Sequence, residues 1–164
     1  MSIPPIAQPN PENTGVFALP VRPFLNFWTL LNFPDRQAPN DPNRTDAWNR
    51  GAYLVEGLAH CAACHGPTNF MMGTEFDKGL SGGFSEGLAI PDITAEMLSK
   101  NGYSGESRTQ YLHTGISPQG ASFAGMNTVT HFSTSQMQEA DVAAMAPYLL
   151  TDSSGKLLNA KPLP

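Results

Sequence analysis

The sequence predicts an all-α fold of about four to five short helices behind a proline-rich N-terminal extension. Several segments place apolar residues at helical spacing between a capping residue and a glycine or proline. No segment alternates apolar and polar residues over a length that would predict a strand. Residues 1–44 hold nine prolines, and such a composition is typical of an extended linker.

Two helices are predicted in the first 59 residues. The first covers residues 24–33 and ends at Pro34, with apolar residues at i, i+3, i+4 and i+7. This helix would either pack on the main domain or dock a partner protein. The second begins at Thr45 or Asp46 and runs to Ala59, immediately before the only two cysteines of the chain.

Three further helices are predicted after an irregular, glycine-punctuated segment over residues 66–93. One is capped by Thr94, and the next is capped by Ser104 and stops at Gly115. A loop over residues 116–134 follows. Ser135, with Gln138 three positions on, predicts a capping box for a last helix that runs to about residue 150. We expect Tyr53 of the second helix to meet Tyr148 or Leu149 of this last helix in the core where the two helices cross.

The charge pattern excludes some classes of partner. The chain carries 9 Lys and Arg against 14 Asp and Glu, a net charge of −5, and has no basic stripe, so no nucleic-acid partner is predicted. The apolar stretch over residues 16–33 is broken by prolines and an arginine. It is too polar for a bilayer span, which needs about 20 apolar residues, so no transmembrane segment is predicted.

The five residues from Cys61 to His65 carry the strongest chemical signal. They read C-x-x-C-H, the pattern by which a haem is attached to a protein chain. Two thiols three positions apart can form thioethers to the two vinyl groups of one porphyrin. The next residue then presents an imidazole to the iron, so Cys61 and Cys64 would anchor one covalent haem c and His65 would be an axial ligand.

Two other chemistries use cysteine pairs. A four-cysteine zinc site is excluded because the chain has two cysteines, and no histidine pair follows at the spacing of a zinc finger. A thioredoxin-type dithiol also uses C-x-x-C. The added His65 and the lack of a β-α-β pattern around the motif count against that alternative.

The iron needs a sixth ligand or an open position opposite His65. Met126 is the favoured ligand because it follows a glycine in the predicted loop before the last helix, and this loop could cross the distal face of the haem. His131, five residues further along the same loop, is its main competitor. A methionine ligand raises the reduction potential relative to a second histidine. An open site would instead indicate a peroxidase-like or gas-binding protein.

Residues 49–65 resemble the haem segment in the cytochrome c subunits of bacterial membrane-bound dehydrogenases, which serve alcohol, aldehyde, gluconate and sorbitol oxidation. Further matches lie in order along residues 91–94, 111–115, 125–126 and 141–149. The resemblance implies a class I cytochrome c fold with Met126 in the place of the axial methionine. It also implies electron transfer from a dehydrogenase subunit, or another redox protein, toward quinone or a respiratory acceptor.

The resemblance also sets the expected organisation of the chain. We expect an extension or linker over residues 1–44, a cytochrome c haem domain over 45–152 and a tail over 153–164. Members of this family usually carry three haem domains, so the chain would be a single-haem relative or one module of a larger subunit. Haem attachment outside the cytoplasm predicts a periplasmic location, with any signal or anchor removed or upstream.

Residues that could hydrogen-bond the haem propionates are few. They are Trp48, Tyr103, Arg108 and Tyr111. No side chain is needed for catalysis in an electron carrier, because the redox chemistry belongs to the haem.

Overall fold

A computed structural model of the chain describes residues 22–33, 35, 37–85 and 87–158. It divides into two compact units, residues 1–36 and residues 37–164. The described part of the first unit is one helix, α1, Arg22–Asn32. This confirms a helix in the predicted stretch, although Pro34 lies outside the described residues. Most apolar side chains of α1, including Phe24, Phe27 and Leu30, are exposed.

The second unit is mainly helical. Its described α-helices are α2 Asp46–Tyr53, α3 Ala62–His65, α4 Ala95–Lys100, α5 Gly105–Thr114, α6 Ala124–Phe132 and α7 Glu139–Leu149. Leu54–Leu58 continue α2 as a π-helical turn, and Phe76–Lys78 and Thr134–Gln136 are short 3-10 turns. The described residues thus contain more helices than expected, partly because the haem motif itself and the predicted loop over residues 116–134 each contain one.

Two small antiparallel hairpins correct the all-α prediction. Strands β1 Gly83–Ser85 and β2 Leu88–Ile90 pair with each other, and so do β3 Ile116–Ser117 and β4 Gly120–Ala121. Each strand has only two or three residues. Because this is shorter than the window in which an alternating pattern can be recognised, the sequence could not predict them.

The predicted helix starts are confirmed where a side chain caps them. The Thr45 side chain accepts from the backbone N–H of Trp48, and Ser104 and Ser107 form a reciprocal capping box. Gly115 ends α5 in the left-handed conformation, with a φ of 76°. The capping box predicted at Ser135 is wrong: α7 begins at Glu139 and its N-cap, Gln138, makes no side-chain cap hydrogen bond.

Helices α2 and α7 cross at close range and form the base of the core. A methyl group added to Gly51 would lie 2.0 Å from the carbonyl oxygen of Ala144, so a side chain there would hold the helices apart. Where they cross, the aromatic contact joins Trp48 and Tyr148, with ring centroids 5.1 Å apart. The prediction that Tyr53 belongs to the core is wrong, since Tyr53 is exposed, whereas Leu149 is buried as predicted.

One apolar core connects these helices to the haem motif. Its buried members include Leu54 and Val55 from the π-helical turn, Leu112 from α5 and Met145 from α7. Cys61 and Met126 are partly buried and pack against the same core. No helix in the described residues is long and apolar enough to cross a membrane.

Candidate haem site

The π-helical turn delivers the chain into the motif. Its wider hydrogen bonds run from the N–H of Ala59 to the carbonyl of Leu54, 2.8 Å, and from the N–H of Cys61 to the carbonyl of Val55, 3.2 Å. Turns of this kind occur often at functional sites. They tie the backbone of Cys61 directly to the buried core residue Val55.

The motif itself forms a single helical turn. The N–H groups of Cys64 and His65 both donate to the carbonyl of Cys61, at 3.2 and 2.9 Å. Residues at i, i+3 and i+4 fall on one side of a helix. The turn therefore brings Cys61, Cys64 and His65 to the same side, as attachment of one haem requires.

The imidazole of His65 is oriented by a backbone group that the sequence analysis did not single out. Its Nδ1–H donates to the carbonyl of Pro91 at 2.9 Å, which leaves Nε2 to bind a metal. Such a hydrogen bond fixes both the tautomer and the ring orientation of a ligating histidine. In the sequence, only the family match at residues 91–94 pointed to this segment. The acceptor is a main-chain carbonyl, and a main-chain group cannot be recognised from the type of its side chain.

Burial favours the neutral form of the same histidine. Burial lowers the pKa of His65, and the positive charge of Arg108 lowers it further. The hydrogen bond to the carbonyl of Pro91 raises this pKa but does not cancel the other two effects. A histidine must be neutral to ligate a metal. The environment of His65 therefore suits an axial ligand.

The two cysteines are free thiols, Cys61 half-buried and Cys64 exposed. Burial raises the pKa of the Cys61 thiol to about 11, despite the nearby positive charge of Arg108. Redox dithiols need a cysteine whose pKa is lowered. The environment of Cys61 thus counts against the dithiol alternative.

Two glycines that lie close to the motif in space have no room for a side chain. A methyl group on Gly83 would lie 2.5 Å from the carbonyl oxygen of Cys64, and one on Gly66 would lie 2.6 Å from that of Ala62. The N–H of Gly82 donates to the carbonyl of His65 at 2.8 Å. The start of β1 is therefore packed directly against the backbone of the motif.

Met126 lies in a helix and not in a loop as predicted. It is the third residue of α6, Ala124–Phe132. The helix was missed because its N-cap, Phe123, makes no side-chain cap hydrogen bond, and its first residue, Ala124, has a φ of 47°. Met126 is half-buried against the core that also contacts Cys61.

The competing ligand, His131, is in a different environment. It is exposed at the end of α6, and its ring contacts the ring of Phe132 with centroids 4.6 Å apart. Two other methionines lie in contrasting environments: Met145 is fully buried in the core and Met72 is 77% exposed. In the described residues, no group of three or more His, Cys, Asp or Glu side chains could hold a metal ion.

The predicted propionate partners separate into two sets. Trp48 donates through Nε1 to the hydroxyl of Thr151 at 3.1 Å, so this donor is used within the fold. Arg108, Tyr103 and Tyr111 lie together, with the guanidinium carbon 5.5 Å from each ring centroid. Arg108 is buried, and its Nε has no hydrogen-bond partner among the described residues. An orphaned buried donor of this kind fits a haem carboxylate as its missing acceptor.

Comparison with proteins of known role gives relatives of one kind. The chain is 37% identical over 153 residues to a nicotinate dehydrogenase subunit of Pseudomonas putida, covering 91% of this chain and 13% of that protein. It is 31% identical over 147 residues to the fructose dehydrogenase cytochrome subunit of Gluconobacter japonicus, covering 88% and 30%. It is 32% identical over 158 residues to the gluconate 2-dehydrogenase cytochrome c subunit of Pantoea cypripedii, covering 88% and 35%.

The chain resembles the cytochrome c subunits of bacterial dehydrogenases. These relatives confirm the family resemblance that was predicted from residues 49–65. The chain spans between 13% and 35% of the length of these three relatives. No protein-family model matches it.

Proposed function

We propose that this chain is a one-electron carrier with a single covalent haem c, relaying electrons from a periplasmic dehydrogenase toward a quinone or respiratory acceptor. The orientation of His65 carries the proposal: its Nδ1 is held 2.9 Å from the Pro91 carbonyl within a C-x-x-C-H turn. The names of the relatives, cytochrome subunits of dehydrogenases, support an electron-transfer role.

Each site residue has a separate task in this proposal. Cys61 and Cys64 would form the two thioethers, His65 would ligate the iron through Nε2, and Met126 would ligate it from the other side. When bound, the haem supplies reversible one-electron chemistry. In this proposal the surrounding chain orients His65 through the Pro91 carbonyl and favours its neutral form by burial, and the apolar core packs against Cys61 and Met126.

A peroxidase-like or gas-binding protein is the weaker alternative. Such a protein needs a displaceable sixth ligand or an open position at the iron. The half-buried Met126, packed against the core, favours a permanent ligand instead. We therefore propose no catalytic residue in this chain.

The partners and location follow from the relatives. Their names describe subunits of dehydrogenases, so we propose a dehydrogenase subunit or another redox protein as the partner. Because the chain spans at most about a third of each reported relative, further haem domains are also proposed as neighbours. Haem attachment outside the cytoplasm supports a periplasmic location.

Expression with a haem-attachment system tests the proposal directly. The intact mass should exceed that of the 164-residue chain by one haem, and the oxidised protein should show the weak far-red band of methionine-ligated iron. Colourless protein with free thiols would overturn the proposed function. A haem spectrum without the far-red band would overturn methionine ligation.

The Met126→Ala variant identifies the sixth ligand. We expect it to keep the covalent haem but lose the far-red band and the low-spin spectrum, because the thioether ligand is removed. Met137→Ala is the matched control, since Met137 is also half-buried against the same core. Optical and electron paramagnetic resonance spectra measure both. An unchanged low-spin spectrum in Met126→Ala would exclude Met126 as the ligand.

A further inference from the structure

The π-helical turn Leu54–Leu58 controls the direction in which the chain enters the haem motif. Such a turn holds one residue more than an α-helical turn, and one residue corresponds to about 100° of rotation around a helix axis. The N–H of Cys61 donates to the carbonyl of Val55 within this turn, at 3.2 Å. The motif therefore starts from the turn itself, and a return of the turn to α-helical geometry would redirect Cys61.

The geometry of this turn is costly and needs neighbouring contacts to maintain it. Turns of the π type are rare, and His60, which links the turn to Cys61, has a φ of 37°. A residue other than glycine is strained in this left-handed region, and such strain persists only where surrounding contacts fix the backbone. The contacts that bind the turn to the rest of the fold thus decide whether the motif keeps its orientation.

Glu56 supplies such a contact from the middle of the turn. Its carboxylate accepts a hydrogen bond of 2.7 Å from the hydroxyl of Tyr148 on α7, and the pair is half-buried. A hydrogen bond to a carboxylate is roughly twice as strong as one between neutral groups. This bond joins residues 92 positions apart, so it ties the turn to a helix that is distant along the chain.

Tyr148 is itself held at the crossing of α2 and α7. Its ring meets the ring of Trp48 edge to face, with centroids 5.1 Å apart. Its Cβ lies 3.1 Å from the position that a methyl group on Gly51 would occupy. The hydroxyl of Tyr148 therefore projects from a packed ring, and it gives the carboxylate of Glu56 a fixed partner.

We propose that Glu56 is a positioning residue for the haem: through Tyr148 it holds the π-helical turn in register and so orients Cys61 and His65. This inference rests on the proposed function, because it requires a haem bound to the motif. Glu56 acts through the backbone of the turn, which continues into Cys61, and is neither an anchor nor a ligand. Without its hydrogen bond the turn should open more often, and the imidazole of His65 should meet the iron at a different angle.

The test uses the full chain with haem attached. Tyr148→Phe removes the hydroxyl but keeps the ring on Trp48, Glu56→Leu removes the acceptor, and Glu56→Gln keeps an acceptor without the charge. Asp141→Asn is the matched control. Asp141 accepts two hydrogen bonds of 2.8 Å from Arg50 and so joins the same two helices outside the turn.

Two measurements separate positioning from stability. Hydrogen exchange of the Ala59 and Cys61 amides, called the turn amides because both donate to carbonyls of the turn, reports local opening. The Tyr103 amide, which donates to the carbonyl of Leu98 at 3.0 Å outside the turn, reports general loss of stability. Electron paramagnetic resonance g-values of the oxidised haem report the orientation of the axial ligands, which a change in stability alone does not alter.

Tyr148→Phe and Glu56→Leu should each speed exchange of the turn amides about three- to tenfold relative to the Tyr103 amide, the effect of losing one hydrogen bond. Both should also shift the g-values. Glu56→Gln should have smaller effects, since its amide oxygen still accepts from the hydroxyl. Asp141→Asn should change neither the relative exchange nor the g-values. In the Tyr148→Phe background, Glu56→Leu should add little, because the shared bond is already lost.

Equal exchange of all three amides, or unchanged g-values, in haem-loaded Tyr148→Phe would overturn the inference. If Glu56→Leu carries no haem, Tyr148→Phe decides, because it removes one oxygen atom and leaves the ring contact in place. Failure of the proposed function gives a different result, since the unsubstituted chain would then carry no covalent haem. When only this inference fails, the unsubstituted chain carries its haem and the variants match it in both measurements.

Discussion

Cys64 and the residues around it show how little space surrounds the haem motif. The backbone of β1 begins against the motif, where a methyl group on Gly83 would lie 2.5 Å from the carbonyl oxygen of Cys64 and 2.6 Å from that of Gly66. Contacts this short cannot be relieved by a side-chain rotation, since both neighbours are backbone atoms. The glycine therefore permits the close approach that holds the motif in its helical turn.

The Gly83→Ala variant should lower both haem loading and thermal stability. The added methyl group must displace the backbone of the motif, which moves Cys64 and His65 away from their positions. The fraction of chain with covalent haem, measured by intact mass, and the thermal unfolding midpoint report the two effects. Gly105→Ala is the control, because a methyl group there would contact nothing within 4 Å. Normal loading and midpoint in Gly83→Ala would show that the motif tolerates the shift.

Single residues were predictable where chemistry depends on sequence spacing. Local geometry places Cys61, Cys64 and His65 on one side of a helical turn, and their roles as haem anchors and axial ligand stay predictions. Met126 was favoured as the sixth ligand because of its position in the predicted loop before the last helix. This assignment stays a prediction. The carbonyl of Pro91 could not be predicted, since its contact with His65 joins residues 26 positions apart.

At the scale of elements, helices α2 and α7 cross with their backbones in close contact. Gly51 allows it, because the backbone of α7 occupies the space where a side chain would lie. The pair is also joined at its edges. Arg50 donates through Nε and one terminal nitrogen to the two carboxylate oxygens of Asp141, both at 2.8 Å, and the hydroxyl of Tyr148 donates to Glu56 at 2.7 Å.

Substituting alanine for Gly51 should destabilise the fold by about 1–3 kcal/mol, the usual cost of forcing extra volume into a packed site. Denaturant unfolding of the haem-loaded protein measures this change. Gly57→Ala lies on the same helical run, and a methyl group there would meet nothing within 4 Å. It should leave the free energy of unfolding unchanged or raise it by up to about 1 kcal/mol, because alanine favours a helix more than glycine does. Equal effects of the two substitutions would show that the helix crossing does not determine the change.

The ion pair between α2 and α7 should make stability depend on pH in the acid range. The hydrogen bonds from Arg50 lower the pKa of Asp141 relative to the unfolded chain. The stabilisation is therefore present above about pH 4, the ordinary value of an aspartate, and is lost as the pH falls through the lower pKa of the folded state. Asp141→Asn should be less stable than the unsubstituted protein at pH 7 and should approach it in acid.

A double-mutant comparison checks the cause of that pH dependence. In an Arg50→Gln background, Asp141→Asn should have a much smaller effect on unfolding, and the pH dependence of that effect should shrink. Unfolding is measured by circular dichroism between about pH 3 and pH 7, a range chosen to cross the ordinary pKa. The stability difference between the unsubstituted protein and the Asp141→Asn variant should therefore vary with pH. A constant difference would contradict the ion-pair explanation.

Elements were predictable where local signals act alone. The starts of α2 and α5 carry side-chain caps that follow from Thr45 and Ser104, and α5 ends at Gly115. The start of α7 was placed too early, because Ser135 lies in a 3-10 turn and its side chain donates instead to the carbonyl of His131. Both hairpins were missed because each strand has only two or three residues, and α6 was missed because its N-cap, Phe123, makes no side-chain cap hydrogen bond.

At the scale of the whole molecule, a covalent haem would complete the core. Cys61 and Met126 pack against a core of buried apolar residues from the π-helical turn, α4, α5 and α7. A large apolar group attached to the chain stabilises the folded state when its surface is buried there. The haem would therefore contribute to the fold as well as to electron transfer.

Removing the attachment sites should weaken the folded state strongly. In the Cys61→Ser, Cys64→Ser double variant we expect a lower thermal midpoint and less helical circular dichroism than in the haem-loaded protein. The unsubstituted chain produced without haem attachment is the control and should behave like the variant, which separates loss of haem from the serine substitutions. Identical midpoints for the double variant and the haem-loaded chain would show that the apolar core suffices alone.

The sequence by itself determined the C-x-x-C-H motif, the family resemblance and the helices with their own caps. These depend on residues within a few positions of each other, so local geometry decides them. Only the tertiary structure decided which carbonyl orients His65, which glycines allow backbones to touch and where Arg108 lies. Each of these is a contact between segments distant along the chain, and its energy depends on packing and burial that no local pattern encodes.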